Sequence, residues 1–381
     1  MSLSYPIVET VLSTPTVEQI NIYNRQEWPQ PFLRELLFER EHVFSGPAVQ
    51  INYRRFRRAL APFVNIFQNG RMLQEGPRGV QSILLPAFGP TRVIRADDAL
   101  SPPTSVYAAP RGTDYITGLM SQNWVEMEQS LSTREEWQIA QLLTTGTIDI
   151  VGDDPGDPAA RVTLTYEINP PIALTGADAW DATSAPDLVA WLTDQARRLA
   201  AKCGVRPDVL ILGASAARAF LSNAAVMRER TLLANLVDTS PEFEDAATTF
   251  IGRYAGIDCY EYNAIYVESS LGEDDKFSDV VLDMIPAGCA ILASTALSGA
   301  MCYGGISVTE NNQIVVHAAR RVPISWPDRD NSLWKQRVSS RFAPAPADSG
   351  SWQTFSSVLG QAPATETKAQ SAGGTHQVRH K

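Results

Sequence analysis

The chain has 381 residues, 44% of them hydrophobic and 19% charged, and a formal net charge of −10. That length allows more than one domain, the balance is that of a folded protein, and the acidic excess argues against a protein whose main task is gripping nucleic acid. The N-terminal "MSLSYPIVETVLSTPTVEQ" lacks the basic and apolar regions of a signal peptide, and no apolar run approaches the roughly 20 residues that span a bilayer, so the chain reads as a soluble protein made inside the cell.

Residues 1–48 read as an arm. Thr14 followed by Pro15 resembles a helix start, and a short helix is expected over 32–38, with Leu33, Leu36 and Leu37 partly on one face. Neither piece is long enough to persist without packing partners. Residues 49–112 are rich in Pro, Gly and β-formers. "VQINYRRFRR" and "QSILLPAFGPTRVIRA" read as two sides of a long hairpin with "NGRMLQEGPRG" at its tip. About 25 residues per side at ~3.3 Å each reach up to roughly 80 Å. A two-stranded ribbon of that length needs neighbours, because alone it is marginal in water.

The longest helical stretch is 115–144, where Ile116, Leu119, Met120, Trp124, Met127 and Leu131 recur at helical spacing. "STREEWQIAQLL" restarts the pattern, with Thr133 and Glu136 spaced as a capping box, so a kinked or two-part helix is expected. It runs into "GTIDIVG" and, after the turn "DDPGDP", into "RVTLTYEINP", which alternate like strands. Residues 186–304 alternate helix and strand as a compact α/β unit: "APDLVAWLTDQARRLAAKCGV", "PDVLILGASAARAFLSN", "IDCYEYNAIYVE" and "AGCAILAS". From 305 the chain returns to strands, with one strand pair, then a Trp- and Arg-rich connection, then another strand. Residues 361–381 are low in bulky apolar side chains.

Candidate chemistry is sparse. "LILGASAARAF" approaches the nucleophile elbow G-x-S-x-G around Ser215, with His317 downstream. The fifth position is Ala, no oxyanion segment is visible, and Ser215 as a helix N-cap explains the same residues. Of His42, His317, His376 and His380, only the last two have ligand spacing, and nothing else is arranged around them. The clusters Glu242/Glu244/Asp245 and Glu273/Asp274/Asp275 sit in polar loop contexts. Cys203, Cys259, Cys289 and Cys302 lie scattered in apolar stretches, the pattern of buried reduced thiols. No catalytic, metal or cofactor residue is expected. Lysine occurs only at positions 202, 276, 335, 368 and 381, so arginine carries nearly all the positive charge. Its planar fork suits interface ion pairs. The cluster Arg54, Arg55, Arg57 and Arg58 could hold phosphates, but in an acidic chain it fits better against a neighbour's acidic surface.

Taken in order, these parts resemble the major capsid proteins of tailed phages, the Hong Kong 97 fold, and within them the lambda-type major capsid family. The resembling stretches are "PFLRELLFER", "EEWQIAQLLTTGTIDIVG" with "RVTLTYEINP", and "WPDRDNSLWKQRVSSRFAPAPADSGSWQTFSSVL". The resemblance spans about residues 29–360 and implies an α+β fold. Its parts would be an N-arm (1–48), an E-loop (49–112), the first part of a P-domain with a spine helix and hairpin (113–185), an A-domain (186–304), P-domain return strands (305–360) and a tail (361–381). It implies pentamers and hexamers closing an icosahedral head around double-stranded DNA, with no sequence-specific DNA binding and no membrane. A portal, a decoration protein and, because the arm begins close to Met1, a separate scaffolding protein would be partners.

Residues 29–65 would then pack on neighbouring subunits. Candidate inter-subunit contacts are Arg54, Arg55, Arg57, Arg58, Phe32, Leu36, Trp326 and Trp334. Some relatives weld their shells with a Lys–Asn bond from the E-loop; residues 49–112 contain no lysine, so that crosslink cannot start here. Bending during shell expansion is expected near Leu131–Thr133 and at the E-loop base. Two rivals stay open: an encapsulin-like compartment of the same fold, and a hydrolase using Ser215.

Overall fold

A computed structural model of the chain describes residues 31–54, 60, 78–95, 113–152, 161–182, 185–234, 242–245, 247–271, 277–310, 313–328, 330–348 and 350–360. It divides into two compact units, Met1–Asn169 with Gln195–Asp208 and Ala293–Gln353, and Pro170–Asp194 with Val209–Leu292 and Thr354–Lys381.

The first unit opens with a short helix, α1 (Phe32–Leu37), which buries Leu33 and Leu37 one turn apart, and Phe38 just beyond. Strand β1 (Arg40–Val43) follows. Then β2 (Ala48–Arg54) and β3 (Arg78–Leu84) form an antiparallel ribbon in register from Ala48↔Leu84 to Arg54↔Arg78. Val49, Ile51 and Ile83 alternate onto its buried face. The expected hairpin is thus present at its base, but its second side leaves early. Beyond Leu84 the chain makes β4 (Ala87–Phe88) and β5 (Thr91–Arg95), which pair elsewhere. Pro86 and Pro90, without N–H donors, mark the departure, and their carbonyls accept from Phe342 and Val338 at 3.2 and 3.3 Å.

The long helix α2 (Thr113–Thr145) has 33 residues, about 50 Å at 1.5 Å per residue. It is one helix and not two. Thr133, read above as a cap, lies inside it and donates its hydroxyl to the Gln129 carbonyl at 2.8 Å. The helix ends at Gly146, whose φ of +74° closes the last turn by donating to the carbonyls of Gln141 and Leu142. The hairpin of β6 (Thr147–Val151) and β7 (Arg161–Thr165) follows as the alternation predicts, with Ile148, Ile150 and Leu164 inward.

The second unit holds β8 (Ile172–Ala173), part of α3 (Leu188–Cys203), β9 (Val209–Leu212), α4 (Ala214–Ser222) and α5 (Ala224–Ala234). Strands β10 (Glu242–Asp245), β11 (Thr248–Tyr254), β12 (Ile257–Tyr262), β13 (Ile265–Leu271), β14 (Phe277–Asp283) and β15 (Ala290–Ala293) follow. Every residue of β9 and β15 is buried, as for strands covered on both faces. Its aromatic centre joins Trp180, Trp191, Phe220, Tyr254 and Phe355, with ring centroids 4.9–5.8 Å apart along the chain of contacts. Helix α3 starts from Asp187, whose carboxylate accepts the N–H groups of Val189 and Ala190 at 3.0 Å.

The chain then supplies β16 (Ala300–Tyr303), the ribbon β17 (Ile306–Glu310) with β18 (Gln313–His317), β19 (Val322–Asp328), β20 (Leu333–Ala345) and β21 (Trp352–Ser357). Thirteen-residue β20 organises the first unit's sheet. It pairs with β16, β19, β4 and β5, and β1 adds in parallel to β16. The Trp- and Arg-rich connection expected after the strand pair is instead the β19–β20 hairpin, with Trp326 opposite Lys335 and Pro327 opposite Trp334. Strand β21 belongs to a seven-stranded sheet of order β10-β11-β12-β9-β15-β21-β8, in which β9 and β12 run parallel.

Candidate functional site

The first unit carries a buried cluster of charge. Along α2, Glu128, Glu135 and Glu136 are no more than 2% exposed. Residues 128 and 135 are seven apart, two helical turns, and so share a face. That face meets arginines from two distant stretches: Arg34 of α1, and Arg320 and Arg321, which precede β19.

Arg321 is the centre. Its Nε donates to both oxygens of Glu128 at 3.1 Å, its Nη2 lies 2.8 Å from Glu135 Oε1, and its Nη1 donates to Ser340 Oγ at 2.9 Å. The Ser340 hydroxyl in turn donates to the Arg320 carbonyl at 2.7 Å. Tyr303 of β16 donates to Glu135 Oε1 at 2.9 Å and accepts from Arg34 Nη2 at 3.2 Å. Arg34 Nε is 3.4 Å from Glu135 Oε2, and Arg34 also pairs with Glu41. Arg320, 14% exposed, spans Glu41, Glu128 and Glu135 at 3.6–3.8 Å.

Burial alone would favour neutral forms here. For Glu135, burial pushes the pKa up, but Arg321, Arg320 and Arg34 outweigh it and hold the carboxyl below its ordinary value. For Arg34, burial opposes the charge, and Tyr303, Glu135 and Glu41 more than restore it. For Arg321, burial is likewise overcome by Glu135 and Glu128, and the guanidinium is held more firmly protonated than in water. Tyr303 moves upward, mainly through burial, and serves as a neutral hydrogen-bond relay. The assembly is ionic and nearly closed to solvent. It joins α1, α2, β16 and the segment ahead of β19.

Sequence reasoning missed these residues. A signal was available in the two adjacent glutamates of "EEWQIAQLL", set among residues that are otherwise core, and in the preference for arginine over lysine. The residues singled out beforehand fare differently. Phe32 and Leu36 of α1 and Trp326 and Trp334 of the β19–β20 hairpin are each half-buried. Arg54 ends β2, and Arg55, Arg57 and Arg58 lie outside the described residues. The expectation that the whole stretch 29–65 packs on neighbours is corrected in part: Leu33, Leu37, Phe38, Val49 and Ile51 are buried within this chain.

Ser215 is the second residue of α4, and Gly213 takes the N-cap position, so neither elbow nor cap describes it. A Cβ at Gly213 would run into the Pro286 carbonyl, and the N–H groups of Ser215 and Ala216 donate to the Ala287 carbonyl at 2.9 Å. His317 is buried in β18. Among the described residues no group of His, Cys, Asp or Glu is arranged to hold a metal ion. Glu273, Asp274, Asp275, His376 and His380 lie outside the described residues, and the side chains of Glu242, Glu244 and Asp245 likewise. All four cysteines are free and buried, and burial pushes Cys289 up to about 12 and Cys302 to about 11, the state of unreactive thiols. No helix among the described residues is long and apolar enough to cross a membrane.

An arm helix tied to a long helix, a two-stranded ribbon, a sheet fed from both ends of the chain and an α/β unit between them define the Hong Kong 97 class of capsid folds. The chain belongs to the family phage major capsid protein E, whose model matches residues 16–354. Solved structures share the fold. One, assigned as a prophage capsid protein from E. coli CFT073, is 17% identical with a TM-score of 0.61 over 90% of this chain and 99% of that one. Another, a phage-related protein from Bordetella bronchiseptica RB50, is 14% identical with a TM-score of 0.52 over 92% of this chain and 99% of that one. No curated protein matches the chain. Its function is therefore structural: it is a shell-building capsid subunit of a phage.

Proposed function

We propose that the chain forms the pentamers and hexamers of an icosahedral phage head, enclosing double-stranded DNA that it does not read. The observation that carries this is the family match across 16–354. The net charge of −10 suits a container, which should repel what it encloses. With no lysine in residues 49–112, the shell would rest on contact area and not on a crosslink from that loop. Each subunit would bury well over the ~1,600 Å² of a standard interface, spread over several neighbours so that weak contacts add. Phe32, Leu36, Arg54, Arg55, Arg57, Arg58, Trp326 and Trp334 are proposed among those contacts. A separate scaffolding protein, a decoration protein and a portal complete the set of partners, and synthesis is placed in the host cytoplasm.

Expansion would bend α2 near Leu131–Thr133, where the Thr133 hydroxyl competes for the Gln129 carbonyl, and would hinge at the ribbon base. The test is negative-stain electron microscopy of the purified protein, alone and with its scaffolding partner. Rings, capsomers or closed shells support the reading, and a monodisperse monomer under both conditions would sink it. A shell that fills with an enzyme and never with DNA would instead favour the compartment.

A further inference from the structure

Helix α1 is six residues long, and Pro31 ahead of it provides no side-chain cap. Alone, such a piece does not hold its shape, since nucleation costs more than one turn returns. Two of its unpaired N–H groups, those of Leu33 and Arg34, donate to a single carboxylate, Glu136 of α2, at 2.8 and 3.1 Å. These residues are 103 and 102 positions apart. A carboxylate there satisfies the donors and complements the positive end of the helix. The neighbouring glutamate, Glu135, faces the Arg34 guanidinium at 3.4 Å. Backbone and side chain of one arm residue are thus held by two successive residues of the long helix.

We propose that the arm helix is a conditional strap, helical only while seated on α2, with Glu136 acting as its N-cap from a distance. Leu33, Leu37 and Phe38 are buried, but apolar contact is indifferent to whether the segment is helical, and the paired N–H groups are not. Unseating removes Arg34 from Glu41, Glu135 and Tyr303 and leaves Glu136 without these two donors. Arm release and the charge balance of α2 are therefore one event. The use of such a strap rests on the capsid reading, because a subunit passing from solution into a shell must place its arm; its existence does not.

Hydrogen-exchange mass spectrometry on the full-length protein tests it, and shell formation is not the readout, so a failure to assemble leaves the test intact. In Glu136→Ala, the amides of residues 33–38 should exchange about tenfold faster, while those of β9 and β15 keep their rates. Glu136→Gln keeps one acceptor oxygen and should restore part of the protection. If Glu136→Ala does not fold, Glu136→Gln decides, with a several-fold rise confined to the arm. Unchanged arm amides would overturn the strap. So would a rise of equal size through α2 and β20, which would make Glu136 an ordinary core residue.

Discussion

The two units bury their centres in opposite ways. In the first, Glu128, Glu135, Arg34 and Arg321 are at most 3% exposed and meet through ion pairs contributed by three separate stretches of chain. In the second, Trp180, Trp191, Phe220, Tyr254 and Phe355 pack ring on ring, and strands β9 and β15 are apolar and buried at every position. Apolar burial is non-directional and accumulates with area. A buried ion pair offsets its desolvation only when each partner is in place. The first unit thus gains definition of register from its charges, and the second gains bulk stability from its rings.

The sharpest way to break this contrast is to remove one member of the ionic centre. Glu135→Ala removes the one carboxylate shared by Arg321, Arg320 and Arg34, leaving them only Glu128 and Glu41, and should cost about 3–5 kcal/mol, read as lost exchange protection in α2 and β16. Leu210→Ala, in the fully buried β9, should cost about 2–5 kcal/mol through the cavity it leaves, with the loss confined to the second unit. Equal loss in both units for either variant would refute independent cores.

Acid separates them by sign. The Glu135 pKa is held below 4.5, so its contribution is fully present above that value and is lost as pH falls through the folded pKa. Protection around α1, α2 and β16 should therefore fall below about pH 4.5 before that of β9 and β15, which carry no titratable side chains. The smallest effect belongs to Asp149→Asn, which removes the solvent-exposed pair with Arg161 on the β6–β7 hairpin. Although Arg161 lowers the Asp149 pKa, the unfolding midpoint should not measurably move, and a clear shift would mean that surface charge matters here as much as buried charge.

Some of this was legible in the residues. The α2 periodicity, the β6–β7 alternation, the arm helix and the helix-strand-helix order of α3, β9 and α4 follow from local patterns whose period the backbone imposes, whereas the alternation expected to continue to 304 gives way after Ala234 to a run of strands, β10 to β15. Other features were not. Thr133 and Glu136 have capping-box spacing, yet Thr133 sits mid-helix and Glu136 caps a different helix. The strand following Pro86 has the composition to continue the ribbon, but it pairs with β20. The β19–β20 hairpin was hidden by a turn without Gly, where Ser332 takes a φ of +53°.

By itself the sequence determined the long helix, the short arm helix and the β6–β7 strands, that lysine is missing from residues 49–112, and, through the order of its parts, which family it resembles. The tertiary structure alone decided that three glutamates of the long helix point inward and which arginines meet them. Helical spacing only says which residues share a face. Whether a charged face turns to water or to the core depends on counter-charges that here lie between 101 and 193 residues away, Arg34 from Glu135 and Arg321 from Glu128.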